Sequence, residues 1–223
     1  MRSDIYAHAR RNMVEYQIRC CKVLDMDLLN MIESLPREQY LPDYLKSLAY
    51  MEGHVPLPCN QEMMSPLQEA SILQQLDLNE TSRVLEIGTG TGFLTTLLAM
   101  RSGHVTSCEI HPELAKMARA NLNQHGIDDV EIVTVNAMDE DALATAIHGT
   151  FDAIILGATL KEIPQHLHNY CNPNGQIIAF LGSDPIIKLT HIHYHDQTAT
   201  QTVLFETLLQ SMEGLPVIQE FVF

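Results

Sequence analysis

The sequence predicts an α/β protein: a mostly parallel sheet flanked by helices, preceded by a helical N-terminal extension. Two observations carry that expectation. From Ser82 onward, short apolar runs rich in Val and Ile alternate with stretches of helical spacing, as in successive β–α–β units. Before Arg83, the apolar residues Met13, Ile18 and Val23, then Leu28, Leu29, Ile32 and Leu35, recur at mixed helical spacing. Pro36, Pro42, Pro56, Pro58 and Pro66 break that stretch into helices and loops. The expected division is an extension over residues 1–80 and a sheet domain over residues 81–223.

Taken in order, Ser65 followed by Pro66 reads as the N-cap and first-turn proline of a helix through Leu67, Ile72, Leu73 and Leu76. That helix leads into a first strand at 84–87. Further strands are expected at 105–109, 130–135, 153–156 and 176–181, with helices at 93–100, 112–125, 139–147 and 163–170 between them. Asn172-Pro173-Asn174-Gly175 is a turn by composition. Residues 187–195 and 201–208 read as two longer antiparallel strands joined through Asp196-Gln197-Thr198.

The chain has 223 residues, 46% of them hydrophobic, enough to bury one α/β core. Its formal net charge of -15 disfavours a phosphate backbone as partner, so no nucleic acid is expected. No apolar run is long enough to span a bilayer, and the first residues lack the apolar stretch of a secretory signal. A cytoplasmic protein with no membrane partner follows as the expectation. Five cysteines without a CxxC spacing point to reduced thiols. His191, His193 and His195 alternate on one strand face, but no nearby carboxylate or cysteine completes a ligand set, so no metal is expected.

The chemistry-bearing motif is Gly88-Thr89-Gly90-Thr91-Gly92, placed directly after a strand and before a helix. Glycine is needed where the chain turns sharply and where a ligand approaches main-chain N–H groups. A dinucleotide loop would have glycine at position 93, where this chain has Phe93; the tighter spacing suits a nucleoside such as S-adenosylmethionine. The expected fold is therefore a Rossmann-like S-adenosylmethionine-dependent methyltransferase sheet, with residues 1–80 serving also as a lid over the cofactor. Glu109 ends the second strand, with Ile110 beside it, where a carboxylate accepts hydrogen bonds from both ribose hydroxyls. Glu86, a charge inside a buried strand, must be paired, and either orders the loop or faces the methionine end of the cofactor. Asn136 and Ala137 follow the third strand at the adenine edge, and Gly157 with Ala158 ends the fourth at the lip of the crevice.

Met13-Val-Glu-Tyr-Gln-Ile-Arg19, Leu35-Pro-Arg-Glu-Gln-Tyr-Leu-Pro42, Leu48-Ala-Tyr50 and Val55-Pro-Leu-Pro58 resemble the opening segments of the protein-L-isoaspartate O-methyltransferase family. The glycine loop, Glu109-Ile-His-Pro-Glu-Leu-Ala115, Phe151-Asp-Ala-Ile154, Glu162-Ile-Pro164 and Pro173-Asn-Gly175 continue the resemblance in order. It implies methyl transfer from S-adenosylmethionine to isoaspartyl carboxylates of damaged proteins or peptides. Such a carboxylate is already ionised, so the reaction asks for positioning and desolvation rather than a general base. The departures fall on the acceptor side. Glu62 stands where the family has threonine and Met64 where it has serine, with Ser65 next to it as a substitute hydroxyl. These three are the expected acceptor-site residues, and their divergence leaves open another acceptor or a non-catalytic cofactor-binding protein. Val135-Asn-Ala-Met138 and Gly157-Ala-Thr-Leu-Lys161 depart from the family pattern as well.

Overall fold

The computed structural model describes residues 2–195 and 198–215. The extension opens with α1 (Arg2–Met13), which continues through a π-helical turn at Val14–Ile18 and a 3-10 turn at Arg19–Cys21. Lys22, in the left-handed region at φ 71°, ends this run. Helix α2 (Met26–Ser34) starts at Asp25, whose side chain accepts from the Asp27 and Leu28 amides. A hairpin of two-residue strands, β1 (Val55–Pro56) and β2 (Glu62–Met63), precedes α3 (Pro66–Gln75). These strands are too short to show a period of two, and the sequence reading gave only loops there.

The sheet domain follows as β3 (Arg83–Ile87), α4 (Phe93–Ala99), β4 (His104–Glu109), α5 (Pro112–Gln124), β5 (Val130–Thr134) and α6 (Glu140–Ala146). It continues through β6 (Phe151–Leu160), α7 (Gln165–His168), β7 (Cys171–Ser183), β8 (Ile186–His195) and β9 (Thr198–Thr207). The seven strands lie in the order β5-β4-β3-β6-β7-β8-β9. Strands β3 to β7 run parallel, and β8 and β9 pair antiparallel. Strand order reverses at β3, which opens a crevice beyond its carboxyl end, the place where open α/β sheets bind ligands.

Two expected strand boundaries change. Residue 157 does not end its strand: β6 runs on to Leu160, and the register steps from Leu156↔Ala179 to Thr159↔Phe180, so Gly157 and Ala158 form a bulge. Similarly, the 172–175 turn is a loop-out within β7, between the pairs Phe151↔Cys171 and Ala153↔Gln176. A Cβ on Gly175 would lie 2.8 Å from Cys171 Sγ and 3.0 Å from the Asn172 carbonyl, which explains the glycine. The helix expected at 163–170 contracts to a single turn, since Pro164 sits in extended conformation at its start. Of the expected link, Asp196 and Gln197 lie outside the described residues, and Thr198 is the first residue of β9, paired with His195.

Alternate residues of the central strands feed two apolar layers. Val84, Ala153, Ile155, Ile178 and Phe180 join one layer with Ile18, Leu28, Ile32, Tyr40, Ile72 and Leu73 of the extension. Leu85, Ile87, Ile154, Leu156 and Ile177 join the other with Leu143 and Leu167. The first layer therefore contains side chains from both sides of residue 80. Within it, the guanidinium of the fully buried Arg37 pairs with Glu69, donates to the carbonyls of Ala49 (2.9 Å) and Met64 (2.6 Å), and lies 4.7 Å over the Phe93 ring. One cation thus ties the earlier part of the extension to α3 and to Phe93 of α4. Among the described residues, no helix is long and apolar enough to cross a membrane.

Candidate active site

The site begins where β3 stops. The chain turns through Gly88 (φ 98°), Gly90 (φ 55°) and Gly92 (φ 81°), backbone conformations that disfavour a side chain. Gly92 also abuts α5: a Cβ there would sit 2.5 Å from Leu122 Cδ1 and 3.2 Å from Ala118 Cβ. From α5, Asn121 Nδ2 donates to the Thr91 carbonyl (2.8 Å) and the Tyr40 carbonyl (3.1 Å), fixing the loop to the extension.

Glu86 braces the loop from beneath. It is buried, its Oε2 accepts from Ser107 Oγ (2.6 Å) and Thr95 Oγ1, and Ser107 in turn meets Thr89 Oγ1 at 2.6 Å. Burial pushes its carboxyl up to about 8, against the opposing effect of the Ser107 and Thr95 hydrogen bonds. Oε1 is buried without a partner. Glu86 lies outside the crevice wall, so of its two expected roles the geometry matches the ordering of the loop.

Glu109, at the end of β4 and 4% exposed, turns its carboxylate into the crevice. Oε2 accepts from the Gly90 amide at 2.9 Å and Oε1 from the His111 amide at 2.9 Å. A carboxylate offers about four lone-pair positions, so roughly two remain for a ligand. The crevice holds about 600 Å³ of non-atom space, part of it open to solvent. Of the expected binding residues, Gly88, Gly90, Glu109, Ile110, Asn136, Ala137 and Gly157 line it. Thr89, Thr91 and Gly92 instead face inward and set the loop's shape; Thr91 Oγ1, for example, contacts Met63 Sδ at 3.9 Å.

Of the three expected acceptor-site residues, Glu62, Met64 and Ser65, Glu62 alone lines the crevice. Met64 is a core residue, 7% exposed, because its carbonyl is held by Arg37 and its side chain packs in the apolar layer. Ser65 caps α3: its Oγ accepts from the Gln68 amide (3.3 Å) while Gln68 Oε1 accepts from the Ser65 amide (2.9 Å). Neither lines the crevice, and of the two readings of Ser65, N-cap and substitute hydroxyl, the geometry matches the N-cap.

Among the wall residues not anticipated are Gln61, Gln210, Met212 and Glu213. Three come from the segment after β9, which lies beside the bulged end of β6 and roofs the crevice. Thr159 donates its amide to the Gln210 carbonyl (2.9 Å) and accepts from the Met212 amide (2.8 Å). Glu213 accepts from Gln61 Nε2 (2.8 Å) and pairs with His111 Nε2 (3.1 Å). Gln61, beside Glu62 in the sequence, was within reach of the motif; nothing in the pattern around 210–213 marks a roof. The charged side chains on the wall are Glu62, Glu109 and Glu213, with no Lys or Arg among the described residues there, a field that favours a cationic ligand.

His191, His193 and His195 do share a face, with ring centroids 6.0 Å and 4.3 Å apart, and His191 Nε2 meets Gln176 Oε1 at 2.9 Å. Among the described residues, no three His, Cys, Asp or Glu side chains assemble a metal site.

The model of the protein-L-isoaspartate(D-aspartate) O-methyltransferase (PCMT) family matches residues 8–211. The chain is 32% identical over 182 residues to the protein-L-isoaspartate O-methyltransferase of Methanoculleus marisnigri, covering 82% of this chain and 81% of that protein. The namesake enzyme of Caulobacter vibrioides is 32% identical over 167 residues, covering 75% of this chain and 73% of its own. In fold, the chain is similar to a crystal structure of a protein-L-isoaspartate O-methyltransferase homologue from Plasmodium falciparum in complex with S-adenosyl-L-homocysteine. The TM-score is 0.74 at 22% identity, covering 91% of this chain and 97% of that one. With its loop, crevice and sheet order in place, the chain has the S-adenosylmethionine-dependent methyltransferase fold and belongs to the protein-L-isoaspartate O-methyltransferase family.

Proposed function

We propose that this protein transfers the methyl group of S-adenosylmethionine to the side-chain carboxylate of isoaspartyl residues in proteins or peptides. The observation that carries the reading is the Glu109 carboxylate on the crevice wall, locked onto the glycine loop by Gly90 with acceptor capacity to spare. A ribose supplies the two hydroxyl donors that match it. The space beside Gly88 also fits a ligand: a Cβ there would project to 3.7 Å from Gly157 Cα, into the gap between loop and bulge.

S-adenosylmethionine supplies an electrophilic methyl group on a cationic sulfonium. Glu109 would hold the ribose, and Asn136, Ala137 and Met138 the adenine edge. The carboxylates of Glu62 and Glu213 suit a ligand carrying positive charge. Gln210 and Met212 wall the crevice on one side, and a site poor in water raises the reactivity of an acceptor carboxylate. The bulge at Gly157 and Ala158 leaves room on the acceptor side, because neither residue carries a bulky side chain or a ladder partner.

A second reading is favoured by one observation: Glu62 presents a carboxylate to the crevice while Met64 is turned into the core. An incoming carboxylate meets like charge and no replacement hydroxyl. This suits a different methyl acceptor or donor binding without turnover. Incubation with an isoaspartyl peptide and methyl-labelled S-adenosylmethionine separates the two. Base-labile label released as methanol supports the isoaspartyl reading, whereas donor binding with no label above background overturns it.

A further inference from the structure

Residues 208–214 form a strap across the crevice, attached on the side of the extension through Glu62 and Gln68. Glu62 Oε1 accepts from the Gln210 amide at 2.9 Å and lies 3.4 Å from His54 Nδ1. His54 Nε2 meets Gln68 Oε1 at 2.9 Å. Gln68 Nε2 returns to the strap, donating to the Leu208 carbonyl (3.0 Å) and to Thr207 Oγ1 (2.9 Å). Gln210 is thus bonded to Glu62, and Leu208 to Gln68 and through it to His54, with His54 and Glu62 in contact at 3.4 Å between the two arms. Gln61 adds a parallel link, accepting from Gln210 Nε2 and donating to Glu213. The other margin is held by Thr159 of β6, whose Oγ1 donates to the Leu209 carbonyl at 2.9 Å.

We infer that Glu62 is a positioning residue: it holds the strap over the crevice and so sets how long the methyl donor stays bound, instead of acting on the acceptor. Threonine at this position, as in the family pattern, has a shorter, uncharged side chain. The Glu62 carboxylate reaches the Gln210 amide, and a hydrogen bond to a charged acceptor is stronger than one to a neutral oxygen. Because Gln210, Met212 and Glu213 are crevice wall, loosening the strap removes one side of the binding site. The inference rests on the reading that this crevice binds S-adenosylmethionine.

The test uses the full chain and the variants Glu62→Ala and Glu62→Gln. Hydrogen exchange at the Gln210 amide, followed without ligand, reports the strap directly. Stopped-flow dissociation of S-adenosylmethionine and the split between KM for the donor and kcat report its consequence. Glu62→Ala is expected to speed Gln210 exchange and donor dissociation by about tenfold each, with KM for the donor rising more than kcat falls. Glu62→Gln keeps a carbonyl oxygen for the Gln210 amide and should recover most of both losses. Unchanged Gln210 exchange in folded Glu62→Ala, or a fall in kcat with donor dissociation unaltered, overturns the inference. If the wild-type chain binds no donor, the crevice reading fails, and the exchange measurement still decides whether Glu62 anchors the strap.

Discussion

Replacing Gly92 by alanine tests how tightly the nucleotide loop is built onto α5. Two costs are separable. At φ 81° an L-residue adopts the left-handed region, which costs about 1–2 kcal/mol. The new Cβ would also stand 2.5 Å from Leu122 Cδ1 and 3.2 Å from Ala118 Cβ. Leu122 is 3% exposed and Ala118 fully buried, so both must shift within a packed interior, and overpacking of this kind costs about 1–3 kcal/mol. Together they make about 2–5 kcal/mol; at about 2–4 °C per kcal/mol for a chain of this size, Tm should fall by about 4–20 °C. Gly126→Ala supplies the control, because Gly126 has φ 68° but nothing within 4 Å of a new Cβ. It should show only the conformational cost, about 1–2 kcal/mol. Thermal unfolding by circular dichroism measures both variants. If Gly92→Ala is no less stable than Gly126→Ala, the packing of the loop against α5 is not as described.

Three further outcomes are expected. Glu109→Gln replaces one carboxylate oxygen by an N–H donor facing a backbone amide and removes the charge; calorimetric affinity for S-adenosylmethionine should fall by about 10–100-fold, and an unaltered affinity would remove Glu109 from the site. Ser65→Ala should cost about 1 kcal/mol by denaturant unfolding through loss of the α3 cap, with no change in donor affinity; loss of turnover without loss of stability would return Ser65 to the reacting centre. Glu86, with its carboxyl at about 8 when folded against the ordinary 4.5, keeps in the folded state a proton that the unfolded chain gives up. Its contribution to stability is therefore present below about pH 4.5 and is lost as pH rises toward 8. Glu86→Gln should flatten that decline between pH 5 and pH 8.5 in urea unfolding, and parallel curves for variant and parent would refute it.

The sheet was legible because buried parallel strands read as apolar runs between helical stretches. All seven strands of the sheet overlap the runs that the pattern marked and the glycine loop falls where expected, with β6 running four residues past its expected end and β7 starting five residues before its expected start. What the pattern could not carry is pairing: the bulge at Gly157 and Ala158 and the loop-out at 172–175 are register events, visible only once β6 and β7 lie side by side. Glu109 was legible through its spacing from the loop and its place at a strand end. The burial of Met64 was not legible, because standing at a family serine position says nothing of which way a side chain turns; Arg37, buried 27 residues earlier, takes its carbonyl, and the Met64 side chain packs in the core. Gln210 and Glu213 were missed for a related reason, since their role depends on contacts more than 100 residues away with Gln61, Glu62 and His111.

The central claim is that the crevice beyond β3 holds an adenosyl cofactor gripped by Glu109. A crystal structure with S-adenosylhomocysteine tests it most directly. The account predicts both ribose hydroxyls within hydrogen-bond distance of the Glu109 carboxylate, the adenine beside Asn136 and Met138, and the strap over the ligand. A crevice that stays empty at saturating ligand, or a ligand bound elsewhere with Glu109 still holding only Gly90 and His111, would contradict it.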